Sequence, residues 1–240
     1  MSSANKSTVE EIRARFDNDV ERFSNLETGQ SATMDAPVVL ELITRVAAAQ
    51  CPDATGVLDI GCGAGNYTLK LLERLPNLDC TLIDLSQPML DRARQRLEAS
   101  SADNVTTLCG DVRDLELPKE AFDVAMAAAV LHHLRDDADW KQVFTKVFQS
   151  LKPGGIFLVS DLVAQDVTAA TQVQWERYGE YLRSLKDDAY RQTVFDYIEK
   201  EDTPRSVLYQ VDLCREVGFQ QAEVLHLNAC FGSFAAVKAR

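Results

Sequence analysis

Apolar residues open the chain at helical spacing. Val9, Ile12, Phe16, Val20 and Phe23 recur every three or four positions, which predicts an amphipathic helix over residues 8–24. The polar stretch SNLETGQSATMDA then predicts a loop. Asp35 stands where a capping residue belongs, with Pro37 in the first turn of a helix carrying Val38, Val39, Leu42, Ile43 and Val46. From residue 56 the rhythm changes. GVLDI predicts a short buried strand, followed by a glycine-rich loop and a helix over roughly 66–75. The same unit returns as the strand CTLIDL (80–85) and a helix capped by Ser86, with Met89, Leu90, Ala93 and Leu97 on one face. NVTTLCGD holds a third strand and FDVAMAAAVL a fourth. WKQVFTKVFQSL is a helix, LKPGG a turn that ends it, and IFLVSD a fifth strand.

Strands alternating with helices imply an α/β fold with a Rossmann-like, doubly wound, mostly parallel sheet. The alternation stops after residue 161. Residues 164–203 carry Trp175, Tyr178, Tyr181, Tyr190, Phe195 and Tyr197, and predict a helical lid over the ligand edge of the sheet. A last helix over about 205–217 closes at Gly218. AEVLHLNAC and SFAAVKA flank FG as a C-terminal antiparallel hairpin. The whole of 1–240 is expected to be one domain: a helical cap over 1–50, a core over 55–161, the lid over 164–203, and the final helix and hairpin over 205–240.

Charge narrows the partners. The formal net charge is -12, which disfavours direct contact with nucleic acid or an anionic membrane. The start of the chain lacks the apolar stretch of a signal peptide, and no run approaches the ~20 apolar residues of a membrane span. The six cysteines fall at scattered positions without a CxxC pair, as expected of free thiols in a reducing cytoplasm. The expected partner is a small molecule, and the expected state a monomer or homodimer.

The chemistry concentrates in LDIGCGAGN (58–66). A glycine-rich turn between a first strand and its helix lets backbone approach a ligand closely. Asp59 precedes the glycines. Asp84 ends the next strand, where a carboxylate can accept both hydroxyls of a ribose. Asp111 ends the third strand and could accept from an adenine amino group. The three acids are expected to face one crevice. A pyrophosphate site would use GxGxxG; carboxylates around GCGAGN suit a cationic ligand, such as a sulfonium bearing an amino group.

VLDIGCGAGNYT, LIDLSQPML, GDVRDL, AVLHHL and LKPGG together resemble the class I S-adenosylmethionine-dependent methyltransferases over about residues 55–161. The resemblance implies S-adenosyl-L-methionine as cofactor. It implies that Asp59 and the loop of Gly61, Cys62, Gly63 and Gly65 surround its methionine part. Asp84 would bind ribose, Leu85 and Met89 would flank adenine, Asp111 with Val112 would hold the adenine edge, and Ala128 would lie near the methionine. Phe16, Asp17 and Val20, with the closing Phe231–Ser233, resemble more narrowly the carboxy-S-adenosylmethionine synthases and their methyltransferase relatives. Those synthases make a carboxymethyl cofactor from prephenate, for the modification of tRNA wobble uridine. They need an arginine in the helix before the hairpin, where this chain has Leu213, with Arg215 two places off. Ordinary methyl transfer to a small molecule is therefore the leading expectation. The carboxymethyl synthase and a non-catalytic cofactor-binding module are the alternatives.

His132 and His133 follow the fourth strand and are candidates for a general base. Gln30, Ser31, Thr33, Asp161 and Tyr178 are candidates for substrate contact. Asp161 lacks evident companion ligands in sequence, so no metal is expected.

Overall fold

The computed structural model describes residues 6–25 and 29–240. Part of the predicted polar loop, residues 26–28, lies outside them.

The first helical pattern is two helices, α1 (Val9–Asp17) and α2 (Val20–Ser24). A capping box starts α1: Glu11 N donates to Thr8 Oγ1, and Thr8 N donates to Glu11 Oε2 at 2.8 Å. Asn18 ends it by donating its side-chain amide to Ala14 O at 2.6 Å, competing with the helical ladder. The break folds α2 back, so that the rings of Phe16 and Phe23 meet at 5.6 Å.

The next helix is α3 (Ala36–Gln50). Asp35 stands before it in a left-handed conformation and caps nothing. Its carboxylate accepts from Asn228 at 2.8 Å and pairs with His226 at 2.9 Å, which pins the cap to the hairpin. The repeating part runs β1 (Gly56–Ile60), α4 (Asn66–Leu72), β2 (Asp79–Asp84), α5 (Gln87–Glu98), β3 (Asn104–Cys109), β4 (Phe122–Ala128), α6 (Asp137–Ser150) and β5 (Leu151–Leu162). Ser86 caps α5 as expected, accepting from Met89 N. LKPGG is not a separate turn but the start of β5. Leu151 pairs with Phe122 and Ile156 with Val124, so Lys152–Gly155 bulge out of the ladder, with Gly154 at φ 81°.

Helices α7 (Thr168–Leu185) and α8 (Asp188–Glu201) form the lid, and α9 (Val207–Val217) leads to β6 (Gln221–Asn228) and β7 (Phe231–Val237). The hairpin turns at Ala229–Cys230 rather than at Phe231–Gly232. Ala229 takes the left-handed φ of 50°, and Phe231 already pairs with Asn228.

The seven strands form one sheet in the order β3-β2-β1-β4-β5-β7-β6, in which β7 runs antiparallel to both neighbours. Alternating residues of the central strands face opposite layers. Leu58, Ile60, Ala125, Ala127, Phe157 and Val159 pack against α6 and α9. Val57, Val124, Met126, Ile156 and Leu158 pack against α3, α4 and α5. A third cluster joins Tyr178, Leu182 and Ile198 of the lid to Leu162 and Cys230. No helix of the described residues is long and apolar enough to cross a membrane.

Candidate active site

The strand order reverses on either side of β1, and the crevice left at the carboxyl ends of β1, β2, β4 and β5 is where this fold binds ligands. A cavity of about 610 Å³ fills it, within the usual range for small-molecule sites. Asp59, Asp84, Ala128 and Asp161 line it from the strands. Phe16 and Phe23 line it from α1 and α2, and Tyr178, Tyr190 and Tyr197 from the lid.

The three glycines of the first loop do three different things. Gly61 (φ 65°) lies so close to Val130 that an added Cβ would come within 2.4 Å of its side chain. Gly65 (φ 80°) sits at the start of α4, and a Cβ there would come within 2.7 Å of Leu97 on α5. Gly65 thus seats one helix on another, and it is not on the cavity wall. Gly63 (φ 50°) has nothing within 4 Å of its missing Cβ and is on the cavity wall. It is the open cradle, and its amide donates to Asp84 Oδ2 at 2.8 Å.

The acids divide two to one. Asp59 is 1% exposed and accepts from Thr68 Oγ1 at 2.6 Å. Burial pushes its carboxyl up to about 7. Asp84 accepts from Gly63 N and from Ser86 N at 2.9 Å, and burial raises it as well. Asp111 faces elsewhere. Partial burial works against its charge, but Arg113 grips the carboxylate through Nε at 3.0 Å and Nη2 at 2.6 Å and holds it below the usual carboxylate range. Neither Asp111 nor Val112 is on the cavity wall; Val112 joins the apolar layer under β4 and α6. The cavity wall gathers two of the three acids, Asp59 and Asp84, while Arg113, two residues on in GDVRDL, holds the third.

His132 and His133 lie on a 3₁₀ turn, Leu131–His133. Asp161 anchors that turn: Oδ2 accepts from Leu131 N at 2.7 Å and His132 N at 3.2 Å, and Oδ1 bonds His132 Nδ1. Asp202, just past α8, closes the group from the lid. Its Oδ1 lies 3.7 Å from His132 Nε2 and 3.4 Å from His133 Nδ1. Burial opposes a charge on His132, yet the carboxylates of Asp161 and Asp202 outweigh it and hold the ring at about 9. A ring held there favours the protonated, hydrogen-bond-donating form. His133 is held well below its ordinary value, first by burial and then by the charge on His132. Burial likewise lifts Asp202, to about 6.

Two features suit a cationic nucleoside. Asp59 is a buried carboxylate in no ion pair among the described residues, and of those residues five aspartates line the cavity (Asp19, Asp59, Asp84, Asp161, Asp202) against two arginines (Arg15, Arg22) and two histidines (His132, His133). Arg15 is already paired with Glu201.

Comparison with known proteins agrees with that chemistry. Residues 57–155 match the model of a methyltransferase domain. The chain is 30% identical over 193 residues to the carboxy-S-adenosyl-L-methionine synthase of Pasteurella multocida, covering 77% of each chain. The chain belongs to the class I S-adenosylmethionine-dependent methyltransferases. This methyltransferase also resembles, at 17% identity and a TM-score of 0.64, the Burkholderia thailandensis 1,6-didemethyltoxoflavin-N1-methyltransferase solved with S-adenosylhomocysteine, covering all of this chain and 94% of that one. Human N-acetylserotonin methyltransferase, solved with S-adenosylmethionine, aligns with a TM-score of 0.62 at 16% identity. There the match covers 97% of this chain but only 58% of the human one.

Of the methyltransferase's predicted site residues, the cavity gathers Asp59, Gly61, Cys62, Gly63, Asp84, Leu85, Met89, Ala128, Gln30, Thr33, His132, His133, Asp161 and Tyr178. Ser31 is not on its wall; Tyr181 donates to the Ser31 carbonyl at 2.9 Å instead. Asp161 has both oxygens engaged in holding the histidine turn, so it orients His132 rather than presenting a free carboxylate. Several wall residues escaped the sequence reading. Tyr67 and Asn66 follow the glycines directly and were within reach of the loop argument. Ala129, at φ 52° between β4 and the histidines, stores backbone strain that no motif announces. Asp202 has no local pattern at all, since the lid alone brings it to the histidines.

Proposed function

We propose that this enzyme moves the methyl group of S-adenosylmethionine to a small-molecule acceptor held between the strand ends and the lid. The observation that carries it is the Gly63 cradle with Asp59 and Asp84 on either side. Gly63 leaves its backbone open to a ligand, while Asp84 fixes the loop through its amide. In this reading Asp84 holds the ribose, Leu85 and Met89 the adenine, and Asp59 the ammonium group of the methionine part. When bound, the cofactor supplies an already electrophilic methyl, so the protein need only align an acceptor and exclude water; alignment is worth ~7–11 kcal/mol of barrier. Phe16, Phe23 and the lid tyrosines supply the dry walls. The aromatic cap and the acidic chain both favour a small acceptor over a nucleic acid, and a cytoplasmic setting. Residues 1–240 are taken as one working unit, monomeric or homodimeric.

A second reading, carboxymethyl-cofactor synthesis from prephenate, draws support from the Pasteurella relative. Two positions speak against it. Leu213 is buried in the core, and Arg215 pairs with Asp212 at 2.8 Å outside the cavity wall. Incubating the enzyme with S-adenosylmethionine and prephenate, then with a panel of small hydroxy, amino and thiol acceptors, separates the two. A methylated acceptor supports the proposal; a cofactor heavier by a carboxylate overturns it.

A further inference from the structure

Three donor atoms converge where the histidine turn meets the lid. His132, His133 and Asp202 each bring one donor atom within 4.8 Å of the other two, and Asp202 Oδ1 lies 3.7 Å from His132 Nε2 and 3.4 Å from His133 Nδ1. Nδ1 of His133 and Oδ1 of Asp202 are buried, and no hydrogen bond from the described residues reaches them. A buried polar atom left unpaired costs about 1–3 kcal/mol, and His133 Nδ1 and Asp202 Oδ1, 3.4 Å apart, are two such atoms that one partner can match. An ion pair between His132 and Asp202 does not provide it, because it leaves His133 Nδ1, which faces the same carboxylate, unmatched.

The spacing fits a metal. Ligands bound at about 2.0–2.2 Å around a tetrahedral ion stand roughly 3.3–3.6 Å apart. The two distances to Asp202 are 3.4 and 3.7 Å. The outer ring is also in place. Metal-bound histidines commonly donate their second nitrogen to a carboxylate, which fixes the ring. His132 Nδ1 is bonded to Asp161, itself held by three backbone amides, those of Leu131, His132 and Leu162. Arg15, on the same cavity wall, is matched by Glu201.

We propose that His132 Nε2, His133 Nδ1 and Asp202 Oδ1 bind a divalent first-row transition ion. Two imidazoles and one carboxylate suit Fe²⁺, Co²⁺ or Zn²⁺ better than Mg²⁺ or Ca²⁺, which prefer all-oxygen sites. Three protein ligands leave further coordination positions toward the cavity, which all three residues line. An oxygen of the acceptor can take one of them. The ion site rests on this geometry alone; its use in holding an acceptor rests on the methyl-transfer reading. Because one ligand comes from the lid and two from the core, the ion also ties the lid down.

The test is a titration of the chelator-stripped full chain with Co²⁺ alone, read by visible d–d absorption and by bound metal after desalting. A single Co²⁺ per chain is expected, with no thiolate charge-transfer band. His133→Ala and Asp202→Asn should each weaken binding at least about tenfold, and Asp161→Asn, acting through His132, by about 10–100-fold. His133→Gln serves if His133→Ala fails to fold, as judged by circular dichroism. No bound Co²⁺, or binding that these variants leave unchanged, overturns the site. S-adenosylhomocysteine binding by the wild-type chain is measured alongside. Loss of the metal site with that binding intact counts against the ion only, and the reverse counts against the cofactor reading only.

Discussion

A methyl group added at Gly63 and one added at Gly65 should have opposite effects. Both glycines hold positive φ, 50° and 80°, so either alanine carries a backbone cost of about 1–2 kcal/mol. At Gly63 there is no steric addition, since nothing lies within 4 Å of the new Cβ. Gly63→Ala should therefore lower Tm by only about 2–8 °C for a chain of this size. Its methyl, however, stands in the cavity wall against the ligand. Overpacking there costs about 1–3 kcal/mol, which is roughly a 5–150-fold loss of S-adenosylhomocysteine affinity. At Gly65 the methyl meets Leu97 at 2.7 Å and Ala93 at 3.3 Å, inside the α4–α5 contact. The same overpacking now falls on folding. The total becomes about 2–5 kcal/mol, and Tm should drop by roughly 10 °C, while the folded fraction keeps its affinity within a few-fold. Scanning fluorimetry gives the first quantity and calorimetric titration the second. If Gly63→Ala binds like wild type, or Gly65→Ala unfolds no more easily than Gly63→Ala, the division of labour in the loop is wrong.

Asp59 makes ligand-free stability depend on pH. Its folded value, about 7, lies above the ordinary 3.8, so its stabilising proton is fully held below about pH 4 and lost as pH rises through 7. The span is worth about 4 kcal/mol. Urea titrations should show wild type losing stability between pH 5 and 8, and Asp59→Asn losing distinctly less; equal slopes would remove Asp59 as the source. Thr68→Val deletes the hydroxyl that donates to Asp59 at 2.6 Å. It should cost about 1.5–3 kcal/mol at pH 8, where the carboxylate is charged, and less at pH 5. Trp140, on α6, is fully buried in the layer between that helix, α9 and the sheet, so Trp140→Ala should cost about 3–5 kcal/mol in chemical denaturation. A loss under 1 kcal/mol would mean that this layer is not the core.

Much of the fold was legible because the chain repeats one unit. Continuous apolar runs such as GVLDI mark strands buried on both faces, and the three- and four-residue spacing of Met89, Leu90, Ala93 and Leu97 marks the helix between them. Local competition was harder to see. Asn18 splits the first helix by taking a carbonyl from it, and Lys152–Gly155 bulge within a strand where the dipeptide PG reads as a turn. The cofactor side of the site was legible for the same reason as the fold, since β1, its glycine loop and β2 are one contiguous pattern. The ion pair of Asp111 was not legible, because its partner, Arg113, is only two residues away and the motif weighs position without charge. The lid side was hidden: Asp202 meets His132 and His133 only through tertiary packing, and no spacing in the chain encodes that meeting.

The reading of the cavity as an S-adenosylmethionine site stands most directly on Asp84, which both fixes Gly63 and faces the ligand. Calorimetric titration of S-adenosylhomocysteine into wild type and Asp84→Ala tests it, with circular dichroism confirming that the variant is folded. Removing a charged acceptor costs about 1.5–3 kcal/mol for each hydrogen bond lost. Two ribose hydroxyls at that cost predict a loss of at least about a hundredfold. A folded Asp84→Ala that binds S-adenosylhomocysteine as tightly as wild type would contradict the assignment.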